Sequence, residues 1–173
     1  MLTDLLKKKS SQILDRWLQL ILETYPADTA TLMKNEKDRF MNPVGRTIAE
    51  GIKVLYDELL LGMSGEKTSL ALENIVRIRC VQDFSPSQAI LFVYRLKGAI
   101  RDELAAELQG DRIFQEWLVL ESKIDDLSLK AFDLYTKCRE RICDIRVQEM
   151  KSQRDQALKL MARSGMKTVN NEQ

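Results

Sequence analysis

The sequence predicts an all-α protein, a helical bundle that ends in one long C-terminal helix. Three observations predict it. The 173 residues include seven glycines and three prolines, too little turn material for a β-fold. Apolar residues recur at spacings of three and four, and no alternating β-branched run bounded by turns occurs. Asp111 to about Arg163 contains neither Gly nor Pro, which allows a helix of about 75 Å at 1.5 Å per residue.

The first helix is expected over about Leu5 to Glu23, where Ile13, Trp17, Leu20 and Ile21 share one face. Pro26 ends it, and Asp28 is placed to cap a short helix reaching Lys34. Asn42-Pro43 then opens a second long helix, with Asn42 as N-cap and Pro43 at the first helical position, where its missing N–H costs nothing. Ile48, Ile52, Leu55 and Leu59 form its stripe, and Gly62 closes it. A third helix is expected over about Ser69 to Val81. Arg79 and Asp83 are one turn apart, suited to an ion pair if the helix reaches that far.

The stretch Asp83-Phe84-Ser85-Pro86-Ser87 runs straight into the apolar block Ala89 to Val93. Ser85 and Pro86 repeat the Asn42-Pro43 device, so the serines read as a helix start rather than as nucleophiles. The block behind them is apolar almost all round, as in the central helix of a bundle.

In the final helix, Trp117, Leu120, Ile124, Leu127, Ala131, Leu134 and Cys138 alternate at three and four, and Ile142 and Ile145 extend the seam. Beyond Ile145 the apolar positions become Val147, Met150, Ala157 and Met161, on another part of the circumference. These four are the expected partner or dimer contacts, with a solvated helical tail as the competing reading. The organisation expected is a helical sensor-like domain over 1–140, an extension of the last helix over 141–163, and a disordered tail over 164–173.

Composition removes most chemistry. There is no histidine, hence no Ser-His-Asp or Cys-His arrangement and no imidazole metal or haem ligand. Cys80, Cys138 and Cys143 form neither an even set nor a C-x-x-C and cannot alone close a structural zinc site; Cys138, at a seam position, reads as a small hydrophobe, with an inter-subunit disulfide or redox switch at Cys138 or Cys143 as the competing reading. No Gly-rich phosphate loop occurs. No catalytic residue, cofactor or metal is expected, and the protein is not expected to be an enzyme. With 27 basic and 26 acidic residues nothing draws it to nucleic acid. No apolar run is long enough for membrane insertion, no signal peptide is read, and the thiols suit the cytoplasm. The candidate anion or ligand contacts are Arg46, with Lys37 and Arg39 beside it, and Arg77 and Arg79, which face the helix start at Ser85.

Several segments together carry a family pattern: Arg16-Trp17-Leu18, the Tyr25-Pro26 break, Phe40 with Asn42-Pro43-Val44-Gly45, and Arg79-x-Val81-Gln82-Asp83-Phe84-Ser85-Pro86-Ser87-Gln88. Over about Leu14 to Lys130 the chain resembles the N-terminal domains of RsbT co-antagonist (RsbRD-type) proteins. The resemblance implies a globin-like, non-haem sensor domain for signal transduction in the stress response. It implies a homodimer that passes its signal down the last helix. Members of the family stand in front of a STAS or histidine-kinase module. Neither is read behind the helix here, so the output is expected to come from a protein partner. The alternative is a small-molecule sensor with a ligand cavity between the helices starting at Asn42-Pro43 and Ser85-Pro86.

Overall fold

A computed structural model of the chain describes residues 1–35, 42–62, 65–82 and 84–169, without the side chains of 35 and 164–169. The elements are α1 (Leu2–Lys8), α2 (Ser10–Leu22), α3 (Ala27–Asn35), α4 (Pro43–Leu61), α5 (Gly65–Val81), α6 (Pro86–Glu103), a 3₁₀ turn (Glu107–Gln109) and α7 (Asp111–Val169). No strand occurs among the described residues, so the protein is all-α with a long C-terminal helix. A globin-like arrangement is compatible with this architecture. The chain divides into two compact units, Met1–Tyr135 and Thr136–Gln173.

The two Pro-initiated helices start as their sequences demand. Asn42 Oδ1 accepts the Gly45 N–H at 2.9 Å, and Asn42 Nδ2 donates to the Met33 carbonyl at 2.7 Å, tying α4 to α3. Position 45 must be glycine for this cap, because a Cβ there would stand 2.5 Å from Asn42 Oδ1. At α6 the Ser85 hydroxyl accepts the Gln88 N–H while the Gln88 side chain accepts the Ser85 N–H, a reciprocal capping box. Gly62 ends α4 at φ 103°, the left-handed conformation that favours glycine.

The first unit is built on two helix pairs. α2 and α6 run in opposite directions, with the Lys9 ammonium against the Glu103 carbonyl and Glu107 carboxylate, and the Arg16 guanidinium on Asp102 at 2.8 Å. The fully buried Trp17 indole N–H donates to the Phe92 carbonyl at 2.6 Å. α4 and α5 approach most closely at Gly51, where a Cβ would stand 2.8 Å from Ile75 Cδ1. Ile13, Ile21, Ile48, Tyr56, Ile75, Phe92, Val93, Leu96, Ile100 and Ile124 are fully buried between these layers, and their removal from water supplies most of the driving force. Tyr56 reaches out of α4 to donate to the Leu6 carbonyl of α1 at 2.9 Å. The start of α7 closes the bundle with Trp117, Leu120, Ile124, Leu127, Ala131 and Tyr135. Lys97 of α6 holds its Asp125 at 2.8 Å.

Several local expectations shift. The single first helix is two, α1 and α2, broken at Lys9 (φ −99°, ψ 15°), where the lysine turns toward Glu103 and Glu107. Asp28 lies inside the first turn of α3 rather than at its cap. α5 begins at Gly65, earlier than Ser69. Leu134, expected in the buried seam of α7, is half-buried, and Tyr135 takes that place. Ile145, expected to extend the seam, is 50% exposed. α7 runs to Val169 instead of ending near Arg163, and residues 170–173 of the expected tail lie outside the described residues.

Candidate functional site

Two of the segments that carried the family pattern, the Tyr25-Pro26 break and the stretch from Arg79 to Gln88, meet in space. Arg79, near the end of α5, is fully buried. Its Nε donates to the Ala89 carbonyl at 3.0 Å, and Nη2 donates to the Gln88 carbonyl and the Thr24 hydroxyl, each at 3.0 Å. Nη1 donates to the Tyr25 hydroxyl at 3.2 Å, which in turn donates to Gln82 Oε1 at 3.1 Å. The guanidinium carbon lies 4.2 Å from the Phe84 ring centroid and 5.2 Å from that of Tyr25, and the two rings meet edge to face. Tyr135 of α7 adds a 3.3 Å bond to the Phe84 carbonyl.

Sequence makes this knot possible at three places. Pro26 stops the chain after Thr24 and Tyr25, so both hydroxyls remain at the end of α2. The Ser85-Pro86 start aims the first carbonyls of α6 at α5. The arginine fork then satisfies several acceptors at fixed angles, which a lysine cannot do. Burial depresses the Arg79 pKa below its ordinary value, opposed by its contact with Tyr25. Burial also raises the Tyr25 pKa, partly offset by the Arg79 charge. The expected partner Asp83 lies outside the described residues.

The three candidate anion contacts occupy different surroundings. Arg46 is exposed on α4 and pairs with Glu50 at 2.7 Å; Lys37 and Arg39 lie outside the described residues. Arg77 is exposed on α5 and pairs with Glu73 at 2.8 Å. Arg79 is spent on the knot. None of the three is among the residues lining the openings described below. Among the described residues, no group of three or more His, Cys, Asp or Glu could hold a metal ion.

A groove of about 750 Å³ runs along α2 and α3, lined by residues including Arg16, Gln19, Leu22, Thr31 and Lys34. Smaller ones lie between α4 and α5, and beside α1. None of these three is lined by residues of both α4 and α6, the helices starting at Asn42-Pro43 and Ser85-Pro86.

In the second unit Val147 is 43% exposed, Met150 61% and Met161 70%, and Ala157 is also exposed. In the first unit α7 carries another exposed set that sequence reasoning missed: Phe114, Leu118, Leu129 and Phe132. Steps of four, eleven and three residues place them on one helical face. That spacing was the available signal, masked by the stronger seam through Trp117 and Ile124.

The match to a family model decides the relationship: residues 11–150 fit the RsbT co-antagonist protein rsbRD N-terminal domain. The chain belongs to this family. Among curated proteins, this RsbRD N-terminal domain is similar to an uncharacterized protein of Archaeoglobus fulgidus, 24% identical over 151 residues, covering 87% of this chain and 90% of the relative. No solved structure matches it. The family is a regulatory one, and the matched span includes every residue of the Arg79 knot. Among the described residues no helix of the domain is long and apolar enough to cross a membrane.

Proposed function

We propose that this chain is a non-enzymatic signal-input domain of the cytoplasm, working as a homodimer and acting on a separate protein that carries the output. The observation that carries the reading is the family match over residues 11–150, which runs past the bundle and into the second half of α7. The proposed docking surface for the output partner is Val147, Met150, Ala157 and Met161. Unit two consists of α7 residues among those described, so its exposed apolar side chains gain burial chiefly through a second molecule. Covering them contributes several kcal/mol at roughly 25 cal/mol per Å².

The test is to express the tagged chain in its own cells and size the assembly it enters, for wild type and for Met150→Glu/Met161→Glu. Loss of the assembly with an unchanged circular dichroism spectrum supports the reading. An assembly of unchanged mass overturns it.

A second reading, a small-molecule sensor, is favoured by the α2–α3 groove, whose volume is that of a ligand site. Its ligand would sit there rather than between the helices starting at Asn42-Pro43 and Ser85-Pro86. A retained small mass in the native mass spectrum, with thermal stabilisation on adding that compound, distinguishes it. The cations of that groove are Arg16 and Lys34; Arg46 and Arg77 do not line it and would meet an anion only at a separate place, at the cost of their pairs with Glu50 and Glu73.

A further inference from the structure

The groove along α2 and α3 is lined by a single face of α2. Gln12, Asp15, Gln19 and Leu22 follow one another at steps of three, four and three, turned away from the core residues Ile13, Trp17 and Leu20. No described side chain of α3 is buried, so α3 borders the groove without filling it. Glu103, the last residue of α6, joins the lining beside the first half of α2. It is held there because Lys9 bonds its carbonyl and Arg16 pairs with its neighbour Asp102. The volume of about 750 Å³ is that of a small-molecule site.

Charge says what the groove takes. Its lining holds three carboxylates, Asp15, Glu23 and Glu103, and two cations, Arg16 and Lys34. Arg16 is spent: its Nε and Nη2 both bond Asp102, which is outside the lining, at 2.9 and 2.8 Å. Lys34 is left against the three carboxylates, and among the described residues no ion pair joins it to any of them. Glu23 has only a 3.4 Å bond from the Gln19 amide. An occupant therefore gains by bringing positive charge. An anion would have to take Arg16 from Asp102 and then stand among carboxylates.

The order of groups along α2 sets the shape of that cation. Asp15 comes first, then Leu18 and Leu22, then Glu23. The two acids are eight residues apart, about 12 Å at 1.5 Å per residue. Leu18 and Ala30 are half-buried and Leu22 is buried, which gives an apolar stretch between charged ends. A single metal ion cannot reach both ends, and no group of three or more acidic or thiol ligands gathers among the described residues. A flexible methylene chain with an ammonium group at each end matches the order acid, apolar, acid.

We infer that the α2–α3 groove binds a linear aliphatic polyamine. Its ammonium ends lie on Asp15 with Glu103 and on Glu23, and its methylenes cover Leu18, Leu22 and Ala30. The inference rests on the small-molecule reading above for the use of this groove, and adds the class of the molecule.

The test is calorimetric titration of the full chain with spermidine at low ionic strength. Wild type is expected to bind at one site per chain, more weakly as salt is added. Asp15→Asn/Glu23→Gln is expected to weaken binding roughly tenfold. Lys34→Gln removes the competing ammonium and is expected to tighten it about threefold. Asp126→Asn/Asp133→Asn, on exposed positions of α7, makes the same change in net charge and is expected to leave the affinity unchanged. Asp15, Glu23 and Lys34 are exposed too, and circular dichroism verifies that each variant folds. Equal weakening by the α7 pair overturns the site, because the amine would then be a diffuse counterion. Magnesium chloride binding as tightly as spermidine overturns the chain chemistry. If spermidine does not bind but native mass spectrometry shows a retained neutral or anionic compound, the polyamine assignment falls and the small-molecule reading stands. If spermidine does not bind and no mass is retained, both fall.

Discussion

The Arg79 guanidinium is buried 4.2 Å from the centre of the Phe84 ring, and its other contacts come from residues 24 and 25 and from the carbonyls of 88 and 89. One side chain thus joins the end of α2, the end of α5 and the first turns of α6. Truncating it removes four hydrogen bonds and opens a cavity. Arg79→Ala is expected to lower unfolding free energy by about 3 kcal/mol, read from urea denaturation with the slope unchanged. Arg79→Lys keeps the charge but loses the fork, and is expected to recover less than half of that. A variant as stable as wild type would contradict the knot.

Two buried tyrosines set the alkaline limit. Burial raises the Tyr25 pKa, opposed by the Arg79 charge, and burial raises that of Tyr56, with Asp57 adding to it. A phenol whose folded pKa exceeds its unfolded value contributes stability that is whole below the unfolded pKa, near 10.0. That contribution is lost as pH rises through the folded pKa. Unfolding free energy is therefore expected to fall above about pH 10, with a slope of about one proton from Tyr56 and a smaller part from Tyr25. Tyr56→Phe is expected to remove most of that slope in denaturant titrations across this range. An unchanged slope would mean that Tyr56 ionises in the folded protein as freely as in the unfolded one.

The α4 cap predicts a sign change. Asn42→Ala is expected to cost about 1 kcal/mol, and Gly45→Ala a similar amount, because the new Cβ displaces the Asn42 side chain. Once Asn42 is gone, the obstacle to Gly45→Ala goes with it. In the Asn42→Ala background Gly45→Ala is expected to be neutral or stabilising, since alanine is the better helix former. A double-mutant cycle by thermal denaturation checks this; simple additivity would refute the cap geometry.

Thiol accessibility tests the burial pattern. Cys143 is exposed, Cys138 half-buried and Cys80 fully buried. With a chromogenic disulfide reagent Cys143 is expected to react first and Cys138 more slowly. Cys80 is expected to react only after denaturant is added. Rapid reaction of all three thiols in the native protein would show that α5 is not packed as described.

Much of the fold was legible because it is written locally. The starts at Asn42-Pro43 and Ser85-Pro86, the stop at Gly62 and the break at Pro26 each depend on residues within one turn, and the structure keeps all four. The candidate site was legible only in part. Arg79 stands out in a motif as a candidate anion contact or a partner for Asp83, but its acceptors Thr24 and Tyr25 are more than fifty residues away. No local spacing records that meeting. The exposed row on α7 was overlooked for a related reason: a helix with two apolar faces shows one dominant period, and only packing reveals which face the bundle has used.

By itself, then, the sequence determined which segments are helical, where most of them begin and end, and that imidazole chemistry is absent, because propensity, capping and composition act over a few residues. Tertiary structure alone decided that Arg79 is a buried tie and that the first helix breaks at Lys9. It also decided that Phe114, Leu118, Leu129 and Phe132 remain facing solvent. These outcomes depend on which distant groups compete for the same donors and the same buried volume, and that competition exists only once the helices have packed.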